Sequence, residues 1–360
     1  MSEFPKTIRD LLMEALEKNA SDLHLTVGVP PVLRVDGVLH PTDDPVLGPD
    51  DTRGLVNSAL MERQIKAFEE HHELDFAMSW PKIGRFRVNV FQQRGSVAAV
   101  LRVISHEIRT MDDIGLSSVL KEIVLKPRGL ILLTGPTGCG KSTTLAAMIN
   151  HINKNKRCHI ITVEDPIEYL FRHEQAIVNQ REVGEDTNSF AAALRHVLRQ
   201  DPDVIMIGEL RDLETISVAV TAAETGHLVM STLHTNDSTQ AIDRIIDVFP
   251  PNQQEQIRIQ LGAVVEAIIS QTLCPRIGSG RIMAYELMIG TNAVKSLIRE
   301  GKTHQLASVL QTSQRAGMQT LDMHLMKLVQ KGLITFDEGY SRAIHPESFR
   351  RDQQKVTTGA

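Results

Sequence analysis

The sequence predicts an α/β protein of two domains: a small mixed α/β domain, then a larger one built on a parallel sheet. Three observations carry this. The chain has 360 residues, and ~150 residues per domain makes about two domains. Before residue 104 short alternating apolar segments flank turn signals, the pattern of antiparallel hairpins. After residue 129 nearly continuous apolar runs alternate with helical segments, the pattern of strands buried on both faces and joined by crossover helices.

The elements follow in order. Ile8, Leu11, Leu12, Ala15 and Leu16 recur at helical spacing and predict a first helix. DLHLTVG then alternates as a half-buried strand, and Val32–Val35 and Val38–Leu39 flank Asp36-Gly37, a two-residue hairpin signal. A helix is expected over 51–70, followed by a second hairpin of 86–91 and 97–104 around Gln92-Gln93-Arg94-Gly95. Residues 1–104 form the expected first domain, the polar stretch 105–116 the linker, and 117–360 the second domain. There the runs LILLT (130–134), HIITV (159–163), VIMIG (204–208) and HLVMST (227–232) predict parallel strands, with helices over 141–152, 189–200 and 213–224. From about 250 to 350 the chain reads as mainly helical. Ile257, Leu261, Val264, Val265, Ile268 and Ile269 read as one amphipathic stretch. The tail after residue 350 is polar.

Composition narrows the function. Hydrophobic residues are 42% and charged residues 23%, ordinary for a globular protein. A net charge of −5 disfavours binding to nucleic acid or anionic lipid by the molecule as a whole. Three dispersed cysteines, Cys139, Cys158 and Cys274, suit a reducing compartment and hold no CxxC metal knuckle. No apolar run approaches the ~20 residues needed to span a bilayer, and charges interrupt the N-terminal stretch where a signal peptide would be apolar. A cytoplasmic location is therefore expected, with any membrane association made through a partner.

The strongest chemical signal is Gly135-Pro136-Thr137-Gly138-Cys139-Gly140-Lys141-Ser142, with Thr143 following, which satisfies GxxxxGK[ST] between an apolar strand and a helical run. Glycines let successive backbone N–H groups converge on phosphate oxygens, and the helix N-terminus adds partial positive charge there. Lys141 is expected to reach the β- and γ-phosphates of ATP and the Ser142 hydroxyl to ligate Mg²⁺. A turn that merely opens a helix is the bland alternative, which the strand–loop–helix context makes a poor one.

The other predicted strands end in groups suited to the same chemistry, at the edge where open α/β sheets bind ligands. The second ends in Glu164-Asp165-Pro166-Ile167-Glu168, the third in Glu209 and the fourth in His234. Glu209 is expected to hold Mg²⁺, Gly208 occupying the place of the usual preceding Asp; a solvated strand-end carboxylate is its structural alternative. Glu164 and Glu168 compete for the base that polarises the attacking water, and spacing does not choose between them. His234 is placed to sense the γ-phosphate, whereas His227, at the start of its strand, reads as structural or as a subunit-boundary residue.

Between residues 80 and 110, Lys82, Arg85, Arg87, Arg94, Arg102 and Arg109 stand against the single acid Glu107. An arginine that neutralises phosphoryl charge is one reading. A nucleic-acid face or a solvated strand surface are the others, the former weakened by few accompanying aromatics.

GPTGCGKSTT, ITVEDPIEYL, DPDVIMIGELRDLETI and AETGHLVMSTLHTND occur in order and resemble the Walker A motif, Asp box, atypical Walker B motif and His box of the secretion-type hexameric ATPases. GRFRVNVF, VNQREVGEDT, QTL and AVKSLIRE resemble its PilT-like branch, the retraction ATPases of type IV pili. The resemblance runs from SDLHL to MQTLDMHLMKLVQKGLIT. It implies an N-terminal PAS-like α/β domain, a RecA-like P-loop domain with a mainly helical C-terminal part, ATP with Mg²⁺, and a homo-hexamer acting on an inner-membrane pilus platform protein. It implies Glu168 as catalytic glutamate, Glu209 as Walker B glutamate, His227 and His234 as His-box residues, and Arg87 and Arg102 as arginine fingers. The sequence departs from the branch at AVKSLIRE, where relatives read AIRNLIRE. The tetracysteine zinc loop of secretion and pilus-extension relatives is missing, so no zinc is expected.

Overall fold

The computed structural model describes residues 4–35, 37–80, 83–104 and 107–350. Asp36 of the first turn, Lys82 of the basic stretch, Ser105 and His106 of the linker and residues 351–360 of the tail lie outside them. The chain divides into two compact units, Met1–Glu107 with Glu168–Leu170, and the rest.

The first unit opens with α1 (Ile8–Glu17), started by a Thr7–Asp10 capping box. The strands β1 (Asp22–Leu25), β2 (Val32–Val35) and β3 (Val38–Pro41) follow. Two helices then occur, α2 (Pro49–Asn57) and α3 (Glu62–His71), where the pattern predicted one. The Ser58 hydroxyl donates to the Leu55 carbonyl at 2.6 Å, and the next backbone bonds close on residues three back, ending the first helix. Gln64 then accepts from the Met61 N–H at 2.9 Å and starts the second.

β4 (Glu73–Trp80), β5 (Gly84–Gln93) and β6 (Ser96–Ile104) form a meander, so the expected second hairpin has an additional strand, β4. The six strands are antiparallel in the order β3-β2-β1-β6-β5-β4. Leu23, Leu33, Phe86, Val88 and Leu101 pack with α1 residues Leu11 and Leu12 in one core. Arg87 and Arg102 are direct cross-strand partners, and both are exposed.

In the second unit α4 (Ser118–Ile123) leads into β7 (Gly129–Thr134), and α5 (Lys141–Asn155) and β8 (His159–Glu164) follow. Next come β9 (Ile177–Glu182), α6 (Phe190–Val197), β10 (Val204–Ile207), α7 (Leu213–Glu224), β11 (Leu228–Thr232), α8 (Ser238–Asp247) and α9 (Gln254–Val264). With β12 (Val265–Pro275) and β13 (Arg281–Ile289), the seven-stranded sheet is ordered β13-β12-β7-β11-β10-β8-β9 and is parallel except for the β12–β13 pair. Successive residues of β7 enter opposite cores: Leu130 and Leu132 join one, Ile131 and Leu133 the other. That double burial explains the unbroken apolar runs.

The stretch read as one amphipathic element over 257–269 is two. Helix α9 stops at Val264, and β12 (Val265–Pro275) continues directly, paired parallel with β7; β13 (Arg281–Ile289) returns antiparallel. Ile268 and Ile269 point to opposite cores, as strand neighbours must. The described residues after β13 carry four α-helices, α10 (Asn292–Arg299), α11 (Leu306–Thr312), α12 (Leu321–Gln330) and α13 (Phe336–Arg342). Among the described residues no helix is long and apolar enough to cross a membrane.

Candidate functional site

The parallel pairing aligns the carboxyl ends of β7, β11, β10 and β8 at one edge of the sheet. Strands sit about 4.8 Å apart, so groups one or two strands away come within reach of one phosphate chain. The loop after β7 carries the phosphate motif. Gly135 is held at φ +139°, and a β-carbon there would meet the Gln271 carbonyl oxygen at 2.3 Å and the Cys139 Sγ at 2.8 Å. Pro136, Thr137 and Gly138 form the exposed tip, and Cys139 is buried beneath it. Burial pushes the Cys139 thiol up, against the pull of the neighbouring Lys141, so it is not a ready thiolate. Gly140, at φ +92°, turns the chain into α5, whose N-terminus faces the loop.

Lys141 is 9% exposed, and its Nζ donates to the carbonyls of Gly135 at 2.7 Å and Pro136 at 3.2 Å. The ammonium thus lies inside the loop, bonded to groups that a phosphate oxygen can replace. Ser142 and Thr143, both half-buried, follow on the first turn of α5. The end of β7 is also tied to the segment after β11: the Thr134 hydroxyl donates to the Thr235 carbonyl.

Glu209 follows β10 and is held from two sides. Its Oε2 pairs with Arg211 Nη2 at 2.7 Å and its Oε1 lies 3.1 Å from His234 Nε2. Burial pushes the Glu209 carboxyl up, but Arg211 and His234 outweigh it and hold it below the usual range. The structure therefore joins Glu209 and His234, named separately from the sequence, and adds Arg211, which sequence reasoning passed over. The only signal for Arg211 was its place two residues beyond Glu209. His227 is at the other end of β11, with Nδ1 2.9 Å from the Ala222 carbonyl.

The two Asp-box glutamates differ in environment. Glu164 is buried at the tip of β8 and accepts from the Thr162 hydroxyl at 2.7 Å and Gln180 Nε2 at 3.0 Å. Glu168 is exposed and belongs with Tyr169 and Leu170 to the first compact unit. In that unit Arg102 Nε donates to Asp22 Oδ1 at 2.8 Å. Burial raises the Asp22 carboxyl, but the Ser21 hydroxyl and Arg102 prevail and lower it.

The donors at the sheet edge suit a hard divalent cation. Ser142 and Glu209 offer oxygen ligands, and Arg211 and His234 hold the Glu209 carboxylate in place at the sheet edge. Among the described residues no group of three or more His, Cys, Asp or Glu could hold a metal by itself. A cation here would take its remaining ligands from phosphate and water, as Mg²⁺ does.

Comparison with known proteins adds to the geometry. The profile of the Type II/IV secretion system protein family matches residues 2–341. The type IV pilus retraction ATPase PilT of Pseudomonas aeruginosa is 48% identical over 342 residues, covering 95% of this chain and 99% of its own. A twitching motility protein of Neisseria gonorrhoeae is 45% identical over 319 residues, covering 88% and 85%. A crystal structure of the pilus retraction motor PilT with bound ADP superposes with a TM-score of 0.91 at 51% identity, covering 96% of this chain and 99% of that one.

Proposed function

Because the chain belongs to the Type II/IV secretion system protein family, we propose that it is a Mg²⁺-dependent ATPase motor that powers type IV pilus retraction and twitching motility. The observation that carries the reading is the phosphate loop closed by its own Lys141, at the same sheet edge as the Glu209–His234 pair. High identity to retraction and twitching proteins along nearly the whole chain supports the cargo. The proposed assembly is a homo-hexamer in the cytoplasm, peripheral to the inner membrane through a pilus platform protein.

On ATP binding Lys141 exchanges the Gly135 and Pro136 carbonyls for β- and γ-phosphate oxygens, and the backbone N–H groups from Gly138 to Thr143 cradle the chain. Ser142 and Glu209 would hold Mg²⁺, which supplies charge neutralisation on the phosphates. Glu168 is assigned by resemblance to orient and deprotonate the attacking water, and Arg87 and Arg102 to neutralise the transferred phosphoryl group. His234, bonded to Glu209, links the γ-phosphate to the position of that carboxylate.

Lys141→Ala is expected to stay folded and lose about a hundredfold or more in steady-state phosphate release; full turnover would defeat the site. Glu168→Gln should bind ATP and turn over poorly, and unchanged turnover would move the base to Glu164. Cells without the gene should keep surface pili and stop twitching, whereas bald cells would assign the motor to pilus assembly or secretion.

A further inference from the structure

Strand β12 does more than extend the sheet. Gln271 is 3% exposed, and its Nε2 donates to the Cys139 carbonyl at 2.8 Å. Its own backbone oxygen occupies the space that a Gly135 side chain would need. Its Nε2 and the Leu273 side chain close on Gly140, 3.4 and 3.7 Å from where a β-carbon would be. One three-residue segment, Gln271-Thr272-Leu273, thus touches the first glycine, the cysteine and the last glycine of the phosphate loop.

The hydrogen bond fixes a direction. In a trans peptide the carbonyl and the following N–H point opposite ways within one plane. Gln271 draws the Cys139 carbonyl toward β12, so the Gly140 N–H is turned away from β12. Turning the Gly140 N–H outward would swing the carbonyl off its donor. The amide cannot be reversed either, because Oε1 would then face the Cys139 oxygen, acceptor against acceptor.

The arrangement has a cost at its other atom. Among the described residues no donor meets the buried Gln271 Oε1. An unmet buried acceptor is destabilising, so the amide contributes here through the bond that its Nε2 makes to the Cys139 carbonyl.

We propose that Gln271 is a positioning residue for nucleotide binding, which sets the Gly140 N–H toward the phosphates by holding the preceding carbonyl. This rests on the reading of the loop as the ATP site. The test uses the full chain with Mg²⁺ and the fluorescent nucleotide mant-ADP. Gln271→Leu should weaken mant-ADP binding about tenfold, the worth of one lost charge-assisted contact, with a thermal midpoint close to wild type. Gln271→Met, unbranched and of similar volume, replaces it if the leucine variant fails to fold.

Gln271→Glu gives a reading that a purely structural role would not. As a carboxylate it repels the Cys139 oxygen, and as a carboxylic acid it can donate to it. Its mant-ADP affinity should therefore recover as pH falls toward ~6, while the wild type shows no such recovery. Wild-type affinity in the folded leucine or methionine variant, or a Gln271→Glu affinity that does not respond to pH, overturns the proposal. Failure of the wild-type chain itself to bind mant-ADP would overturn the ATP-site reading instead.

Discussion

A β-carbon at position 135 would lie 2.3 Å from the Gln271 oxygen, in a backbone conformation that only glycine adopts freely. Gly135→Ala is therefore expected to displace the loop or β12, lowering stability by roughly 1–3 kcal/mol and abolishing mant-ADP binding. Urea unfolding and a binding titration check the two effects separately. Arg211 is the other residue whose role comes from distance. It occupies one Glu209 oxygen at 2.7 Å, so it competes with any cation for that carboxylate. Arg211→Gln should lower the Mg²⁺ concentration needed for half-maximal ATP turnover; an unchanged or higher requirement would mean that the pair does not compete with metal.

Among the elements, α8 matters because it follows directly from the loop bearing His234. Asp237 accepts from the Gln240 N–H at 2.7 Å, and the buried Glu286 accepts from the Ser238 N–H at 3.0 Å. Burial raises the Glu286 carboxyl, and the Ser238 bonds only partly offset this. Asp237→Ala should cost about 1 kcal/mol and speed hydrogen exchange in the first turn of α8, as loss of a helix cap does. Unchanged exchange there would show that Glu286 alone fixes the helix start. The α9–β12 junction shows how one apolar pattern serves two elements. A strand buried on both faces is apolar at every position and so matches a helical template as well.

At the scale of the whole molecule, acid stability has a named contributor. His324 on α12 accepts the Tyr285 N–H at 3.0 Å, and burial pushes its imidazole down to about 4 from 6.5. The unfolded chain binds that proton first, so stability is complete above about 6.5 and falls as pH drops toward 4, by about 3 kcal/mol in all. His324→Asn retains an acceptor and does not titrate. Its unfolding midpoint should fall less than that of wild type across this range; parallel curves would place the acid sensitivity elsewhere.

The sequence by itself determined the α/β class and the places of the glycine-rich loop, Glu209 and His234 after their strands, because these depend on local periodicity and on motifs continuous in the chain. It also singled out Gln271-Thr272-Leu273, though only as a resemblance. Only the tertiary structure decided that the helix over 257–269 yields to a strand at Val265, since pairing with β7 overrides helical periodicity there. Tertiary contacts likewise bring His234 to Glu209 and Gln271 to a loop more than a hundred residues earlier. Such contacts join residues distant in sequence, and no local pattern of apolar and polar side chains encodes which carbonyl a buried amide will meet.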